Sequence, residues 1–237
     1  MSLIIHPYLK ESGPENMATD YYLFQEGISN NPIFRHYGWS HEEITFGYGQ
    51  NWTWVRKQEA IKSYKITRRP TGGGIVSHGK DWTYMFILPN GHSSFLIPAL
   101  DLYEKIHLSI GNVLCQLGHR TTLKSCPKKG EIKAGIPGNC FSEPVGRDLM
   151  SENGTKKLAG AAMKRTKKGI LIQGTIDLAG FFELDLDQFI TFFIVELEKL
   201  VGEDAKEAKF IDELVSCRSC YVKQFSSRSW REKRKFS

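Results

Sequence analysis

Apolar residues recur at helical spacing in three stretches of the chain. Met17, Tyr21 and Phe24 stand at i, i+4 and i+7, which predicts a helix over residues 16–26 with Asn16 as its cap. Leu102, Ile106, Ile110, Val113 and Leu117 form a second stripe, opened by Pro98 and stopped by Gly118. Phe189, Phe193, Leu197 and Leu200 form a third, over residues 187–200, with Gly202 as its stop. A last helix is predicted over residues 206–214. Elsewhere the period shortens. Residues 33–36, 43–46, 82–88, 148–150, 157–165 and 169–178 mix β-branched, aromatic and small residues between turn formers, as strands do. Residues 65–78 read as a strand, a glycine-rich loop and a second strand. The order helix, strands, helix, strands, helices lacks regular βαβ alternation. It therefore predicts an α+β fold with a mixed, largely antiparallel sheet packed by helices.

Composition adds bounds. A chain of 237 residues, 41% hydrophobic and 12% aromatic, can bury one sizeable core. One domain over residues 1–237 is expected, with a basic C-terminal tail from about 226. No basic region precedes the short apolar run at the start, and no stretch reaches the roughly 20 apolar residues that span a bilayer. The expectation is a cytoplasmic protein with no membrane partner. Cys115, Cys126, Cys140, Cys217 and Cys220 are an odd, scattered set, read as reduced thiols. Cys217 and Cys220 have the spacing of half a zinc site, but no second pair completes it, so no metal is assigned there. Net charge is +6, much of it in Arg228, Arg231, Lys233, Arg234 and Lys235. Such a tail is read as a solvated terminus; a nucleic-acid partner would rest on it alone.

Two clusters carry candidate chemistry. In Arg68-Arg69-Pro70-Thr71-Gly72-Gly73-Gly74, three glycines let backbone N–H groups approach a ligand, and the arginines supply charge suited to a phosphate or carboxylate. His78 follows on the second strand. A plain flexible turn is the alternative, and neither nucleotide-binding glycine fingerprint fits. In the run 154–165, Lys156 and Lys157 lead into the small residues Gly160, Ala161 and Ala162. A lysine there can stabilise a developing oxyanion beside a narrow substrate, or the run is a charged hairpin turn.

Together, Arg68-Arg-Pro-Thr-Gly-Gly-Gly-Ile-Val-Ser-His78 and Lys157-Leu-Ala-Gly-Ala-Ala-Met-Lys-Arg165 closely resemble the biotin/lipoate protein ligase catalytic family, in its lipoate ligase and octanoyltransferase branch. The resemblance takes in Asn16-Met-Ala-Thr-Asp20, Thr45-Phe-Gly-Tyr-Gly-Gln50, Cys140-Phe-x-x-Pro144, Asp148-Leu149, and Ser229-Trp230 with Arg234. It implies a class II synthetase-like mixed sheet, with an acyl chain bound beside Gly72–Gly74. It implies Lys157 as the catalytic lysine that contacts the acyl carbonyl, and Cys140 as a thioester nucleophile if the enzyme is a transferase. The substrate-binding set it implies is Arg68, Arg69, Thr71, Gly72, Gly73, Gly74, His78, Gly160, Ala161, Gln173, Gly174 and Thr175. A ligase would use ATP and Mg2+; a transferase would need neither. The implied partners are lipoyl domains of 2-oxoacid dehydrogenase E2 subunits or the glycine cleavage H protein, and acyl carrier protein as a donor.

Two positions depart from the pattern. Gln173-Gly174-Thr175 stands where the family usually has a histidine triplet, and Gly79 follows His78 where an acid is common. Gln173 hydrogen-bonds but does not titrate. These departures motivate an alternative function, a catalytically silent acyl-binding or regulatory module of the same fold.

Overall fold

Two sheets organise the molecule. The computed structural model describes residues 1–27, 30–58, 61, 63–126, 138, 144–208 and 211–236. The larger sheet is formed by β1 (Leu3–Ile5), β2 (Leu9–Glu11), β3 (Ile33–Trp39), β7 (Asp81–Pro89), β8 (Thr121–Leu123), β9 (Leu149–Ser151), β10 (Lys157–Thr166), β11 (Gly169–Asp177) and β12 (Ala205–Glu207). Its order is β12-β1-β3-β7-β11-β10-β9-β8, with β2 beside β3. From β3 to β8 every pairing is antiparallel, and only β1, β2 and β12 add parallel ones. The smaller sheet, β5-β4-β6, holds β4 (Glu43–Phe46) between β5 (Lys65–Arg68) and β6 (Val76–His78), with Val55 of the one-turn helix α2 (Trp52–Val55) packed on it. The mixed, largely antiparallel α+β arrangement is the one the sequence predicts.

Strand β7 is buried on both faces, which is why it reads as a nearly continuous apolar run. Trp82, Tyr84, Phe86 and Leu88 point to one face, where α3 (Ala99–Gln116) and α4 (Leu186–Val201) bury Leu102, Ile106, Ile110, Phe189 and Phe193. Met85 and Ile87 point to the other, against Met17, Ala18 and Phe24 of α1 (Gly13–Glu26). The smaller residue that precedes them on that face, Thr83, lines a pocket there.

Three expectations need correction. Helix α1 starts at Gly13, not Asn16. Ser12 caps it: its backbone N–H and hydroxyl both donate to Glu15 Oε2, at 2.9 and 2.5 Å, and Pro14 fits the first turn. Asn16 is instead fully buried, donating to the Gly38 carbonyl at 2.9 Å and accepting from Arg35 at 2.6 Å. The helix expected over 206–214 is divided. Residues Ala205–Glu207 pair in parallel with β1, and helix α5 (Ile211–Cys217) begins only after them. The basic tail keeps Arg228, Lys233, Arg234 and Lys235 exposed, but it is not a loose terminus: after α6 (Ser219–Ser226) it folds as α7 (Arg228–Lys233), with Phe225 and Trp230 buried against α1 and the smaller sheet. Arg218, at the head of α6, fastens this unit to β2 through Glu11 and to α1 through Thr19 and the Glu15 carbonyl.

Among the described residues, no helix is long and apolar enough to cross a membrane.

Candidate active site

Strands β10 and β11 and the smaller sheet together wall a narrow pocket of about 40 Å3. Its wall brings together Arg69, His78, Lys157, Gly160, Ala161, Gln173, Gly174 and Thr175 of the sequence-derived set. Met17, Tyr37, Trp39, Val76, Thr83 and Ala162 complete a mainly apolar lining. Arg68, Thr71, Gly72, Gly73 and Gly74 do not line it. Cys140 and Phe141 fall outside the described residues. Gly138, the described residue closest to Cys140 in sequence, accepts hydrogen bonds from Ile75 N at 3.0 Å and Gln50 Nε2 at 3.2 Å, beside the glycine loop.

Lys157 opens β10 at a register shift between β9 and β10, and its side chain is buried. Its ammonium lies 2.8 Å from Asp148 Oδ2. Asp148 is wholly buried and held by two further donors, Val145 N at 2.7 Å and the Tyr103 hydroxyl at 2.5 Å. Tyr103 in turn accepts from Ala161 N at 3.2 Å. Burial, and then the Asp148 carboxylate, push the Tyr103 hydroxyl well above its ordinary pKa, so it stays a donor. Gly160 is required here. A Cβ on it would stand 2.5 Å from both Cε and Nζ of Lys157. Lys156 points elsewhere, pairing with Asp177 at 2.9 Å on the surface.

The arginine pair is committed to protein carbonyls. Arg68 donates from Nη1 to Gly47 O, Tyr48 O and Gln50 O, at 3.3, 2.7 and 2.9 Å, and from Nε to Arg231 O at 2.9 Å. Arg69 donates to Gly72 O at 2.9 Å and Gly74 O at 2.8 Å, and to Thr45 Oγ1 at 2.7 Å, which braces the glycine loop from within. Gly73 adopts φ 82°, a conformation that favours glycine. Gly72 faces open space where a Cβ would stand.

Gln173 uses both ends of its amide. Oε1 accepts from Thr71 Oγ1 at 2.6 Å, and Nε2 donates to Asp20 Oδ2 at 2.6 Å. Asp20, fully buried, also accepts from Tyr37 at 3.0 Å and lies 3.5 Å from Arg35 Nε. Burial raises its pKa, opposed by Arg35 and the Gln173 and Tyr37 hydrogen bonds. Gln173 thus ties the loop residue Thr71 to α1 through an amide that carries no charge.

His78 lies flat against Trp39, with ring centroids 3.8 Å apart, and bonds Thr45 Oγ1 and Asp81 Oδ2 at 2.7 Å each. Gly79 provides no acid, but Asp81, two residues on, does. Burial works against ionisation of Asp81, yet His78 and donors from Thr175 and Gly79 N outweigh it and pull the carboxyl down to about 2. Thr83 also donates to Asp81 at 2.9 Å and accepts from Trp39 Nε1 at 2.9 Å, closing the far end of the pocket.

Asp148, Tyr103, Asp20 and Asp81 are the polar residues that sequence reading did not assign. Asp148 and Asp20 fall inside motifs of the resemblance, which was the only signal available for them.

Residues 12–226 match the family model described as lipoyl protein ligase A/B catalytic domain. Octanoyltransferase LipM of Geobacillus kaustophilus (strain HTA426) is 30% identical over 217 residues, covering 85% of this chain and 74% of the relative. The LipM of Staphylococcus aureus (strain NCTC 8325 / PS 47) is 29% identical over 195 residues, 78% of this chain and 67% of the relative. The fold is similar to that of a putative lipoate protein ligase from T. acidophilum with bound lipoic acid, at TM-score 0.72 and 18% identity, over 98% of this chain and 99% of the other. It is equally similar to a lipoate-protein ligase A bound with ATP, at TM-score 0.72 and 17% identity, over 98% of each chain. With nine-tenths of its length inside the matched region, this chain belongs to the lipoyl protein ligase A/B catalytic-domain family.

Proposed function

We propose that this chain is an enzyme that attaches an octanoyl or lipoyl group, in amide linkage, to a lysine of lipoyl domains. The observation that carries the reading is Lys157, a buried ammonium at the edge of an apolar slot, aimed by Asp148 and given space by Gly160. An acyl chain occupying the slot would bring its carbonyl to this ammonium. The ammonium then stabilises charge growing on the carbonyl oxygen as a nucleophile adds.

Of the two donors, we favour an octanoyl thioester on acyl carrier protein, because the similar relatives are named octanoyltransferases and an acyl transfer without ATP needs an already activated acyl group. In that reaction the Cys140 thiolate adds to the donor carbonyl and the carrier's thiolate leaves, forming an acyl-enzyme thioester, and the carrier thiolate takes its proton from solvent. The acceptor lysine's neutral amine then adds, the Cys140 thiolate leaves, and the amine's proton passes to solvent. A ligase would instead bring ATP and magnesium to the slot. Asp148 is paired with Lys157 and Asp20 with Arg35, and Asp81 is hydrogen-bonded to His78, so a magnesium ion would have to displace one of these partners to gain one of these carboxylates.

The acceptor lipoyl domain belongs to an E2 subunit or to H protein, and one assay serves both. A purified lipoyl domain is incubated with the enzyme and either octanoyl-acyl carrier protein or octanoate with ATP and magnesium, and its intact mass is read. Acylation from the carrier, lost in Cys140→Ala and in Lys157→Ala, is the expected result. Acylation only with ATP, surviving Cys140→Ala, would establish the ligase. No mass shift with either donor would leave the silent acyl-binding module of the same fold.

A further inference from the structure

Lys164 and Arg234 are two cations that share one aromatic ring. Lys164 Nζ lies 5.2 Å from the centroid of Tyr48 and 5.7 Å from that of Tyr21, and Arg234 Cζ lies 5.7 Å from the centroid of Tyr48. Neither cation has a carboxylate partner among the described residues. Both are held in place by the fold. Arg234 caps α7 in a left-handed conformation, φ 59°, with its N–H on the Trp230 carbonyl at 3.0 Å. Tyr48 N donates to Thr71 O at 2.7 Å, which fixes the ring beside the glycine loop.

Lys164 also extends the pocket wall. Gly160, Ala162 and Lys164 are alternate residues of β10, so they share a face, and the first two line the pocket. Two residues of strand place Lys164 about 7 Å beyond Ala162. Lys164 is half-buried, and burial holds its pKa below the ordinary value. The Arg68 guanidinium, close behind, is lowered to about 10 by burial and then by the charge of Arg234. Positive charge is therefore crowded here with no carboxylate paired to it among the described residues, whereas the Arg68 and Arg69 guanidiniums are already occupied by carbonyls.

We propose that Lys164 and Arg234, both within cation–π reach of the Tyr48 ring, bind a phosphate of the acyl donor at a subsite removed from the reacting carbonyl at Lys157. The inference rests on the proposed function for its choice of ligand, because both donors carry phosphate: a thioester on a phosphopantetheine arm, or ATP. The guanidinium and ammonium supply charge-assisted hydrogen bonds to the phosphate oxygens.

The test is calorimetric titration of the full chain with ATP, with 4′-phosphopantetheine and with pantetheine, which lacks the phosphate. At least one phosphate ligand should bind, and pantetheine should bind at least about tenfold more weakly than its phosphorylated form if the carrier arm is the source. Lys164→Gln and Arg234→Gln should each weaken the phosphate ligand about tenfold, as loss of a charge-assisted bond does, and Lys164→Arg should retain it. Whether ATP or phosphopantetheine is bound identifies the source. Binding of neither, or unchanged affinity in the exposed-residue variant Arg234→Gln and in Lys164→Gln, overturns the proposal. None of these readouts needs turnover, so a chain that binds phosphate but acylates nothing keeps the subsite and loses the functional reading.

Discussion

Lys157 Nζ stands 2.8 Å from Asp148 Oδ2, and the other oxygen of that carboxylate is taken by the Tyr103 hydroxyl of α3 at 2.5 Å. The ammonium is thus aimed by a buried carboxylate which is itself aimed by a helix on the far side of the sheet. Replacing Asp148 by alanine leaves a buried cation unpaired. It should cost about 3–5 kcal/mol of stability, read by urea unfolding. Tyr103→Phe removes one donor and should cost roughly 1–3 kcal/mol. It should also lower kcat while leaving the KM for the acyl donor nearly unchanged, since the slot itself is untouched.

Gly160→Ala tests the same geometry from the other direction. The added Cβ would need the place of the Lys157 ammonium, 2.5 Å away, and would come 3.2 Å from Asp148 Oδ1. The lysine must move. A shift of about 1 Å at such a group lowers turnover on the order of 100-fold. The expected outcome is a folded protein with near-native melting behaviour and little acyl transfer in the intact-mass assay.

A comparable substitution at Gly174 should fail differently. A Cβ there would stand 2.3–2.5 Å from the ring of Tyr84, in the core behind the pocket. Gly174→Ala should therefore lower stability by roughly 1–3 kcal/mol through overpacking, visible as a lower urea midpoint, whatever its effect on turnover.

Much of this arrangement was legible in the sequence because it rests on local pattern. The stripes of α3 and α4 and the alternation of β10 and β11 are written in consecutive residues, and the glycine loop between β5 and β6 is marked by its own composition. What escaped depends on distant partners. Residues Ala205–Glu207 have no strand pattern of their own and become a strand only because β1 offers an edge. The terminal helices carry so many charges that single buried residues, Phe225 and Trp230, leave no readable period. The site shows the same division. Lys157 and its small neighbours are contiguous, but Tyr103 meets Asp148 across 45 residues and Gln173 meets Asp20 across 153. No spacing along the chain announces such pairs.

Three histidines, His107 buried and His6 and His36 partly buried, should make the protein sensitive to mild acid. Burial, and then Arg35, lower His6 and His36 to about 4, with Asp187 partly opposing at His36. Burial, and then Lys157, lower His107 to about 3. Each folded pKa lies below the unfolded value of about 6.5, so between the two the unfolded chain binds more protons. Stability is then unaffected above about pH 6.5 and falls as pH drops toward 4, by up to about 1.4 kcal/mol per pH unit for each group. Urea unfolding at pH 7.5, 6 and 5 should show the fall, and His107→Gln should remove about one proton from the slope.

Trp230→Ala should cost roughly 3–5 kcal/mol, in the range for large aromatic residues deleted from a core. Its indole is 1% exposed, stacks on Phe236 and donates to the Arg68 carbonyl at 2.9 Å. Guanidinium chloride unfolding measures the loss. Trp230→Phe should recover part of it, because the ring packing survives without the hydrogen bond.

That contact also sets an order of assembly. Arg68 reaches Arg231 and Trp230 across 163 and 162 residues, and the same guanidinium gathers the carbonyls of Gly47, Tyr48 and Gln50 behind the glycine loop. Closing so long a loop is slow and comes late in folding. A nascent chain emerging from the ribosome can form α3, β10 and β11 while the backing of the glycine loop still lacks its last partner. Substrate-binding competence would then arrive with synthesis of α7, and partially made chains would be folded in their core but inactive.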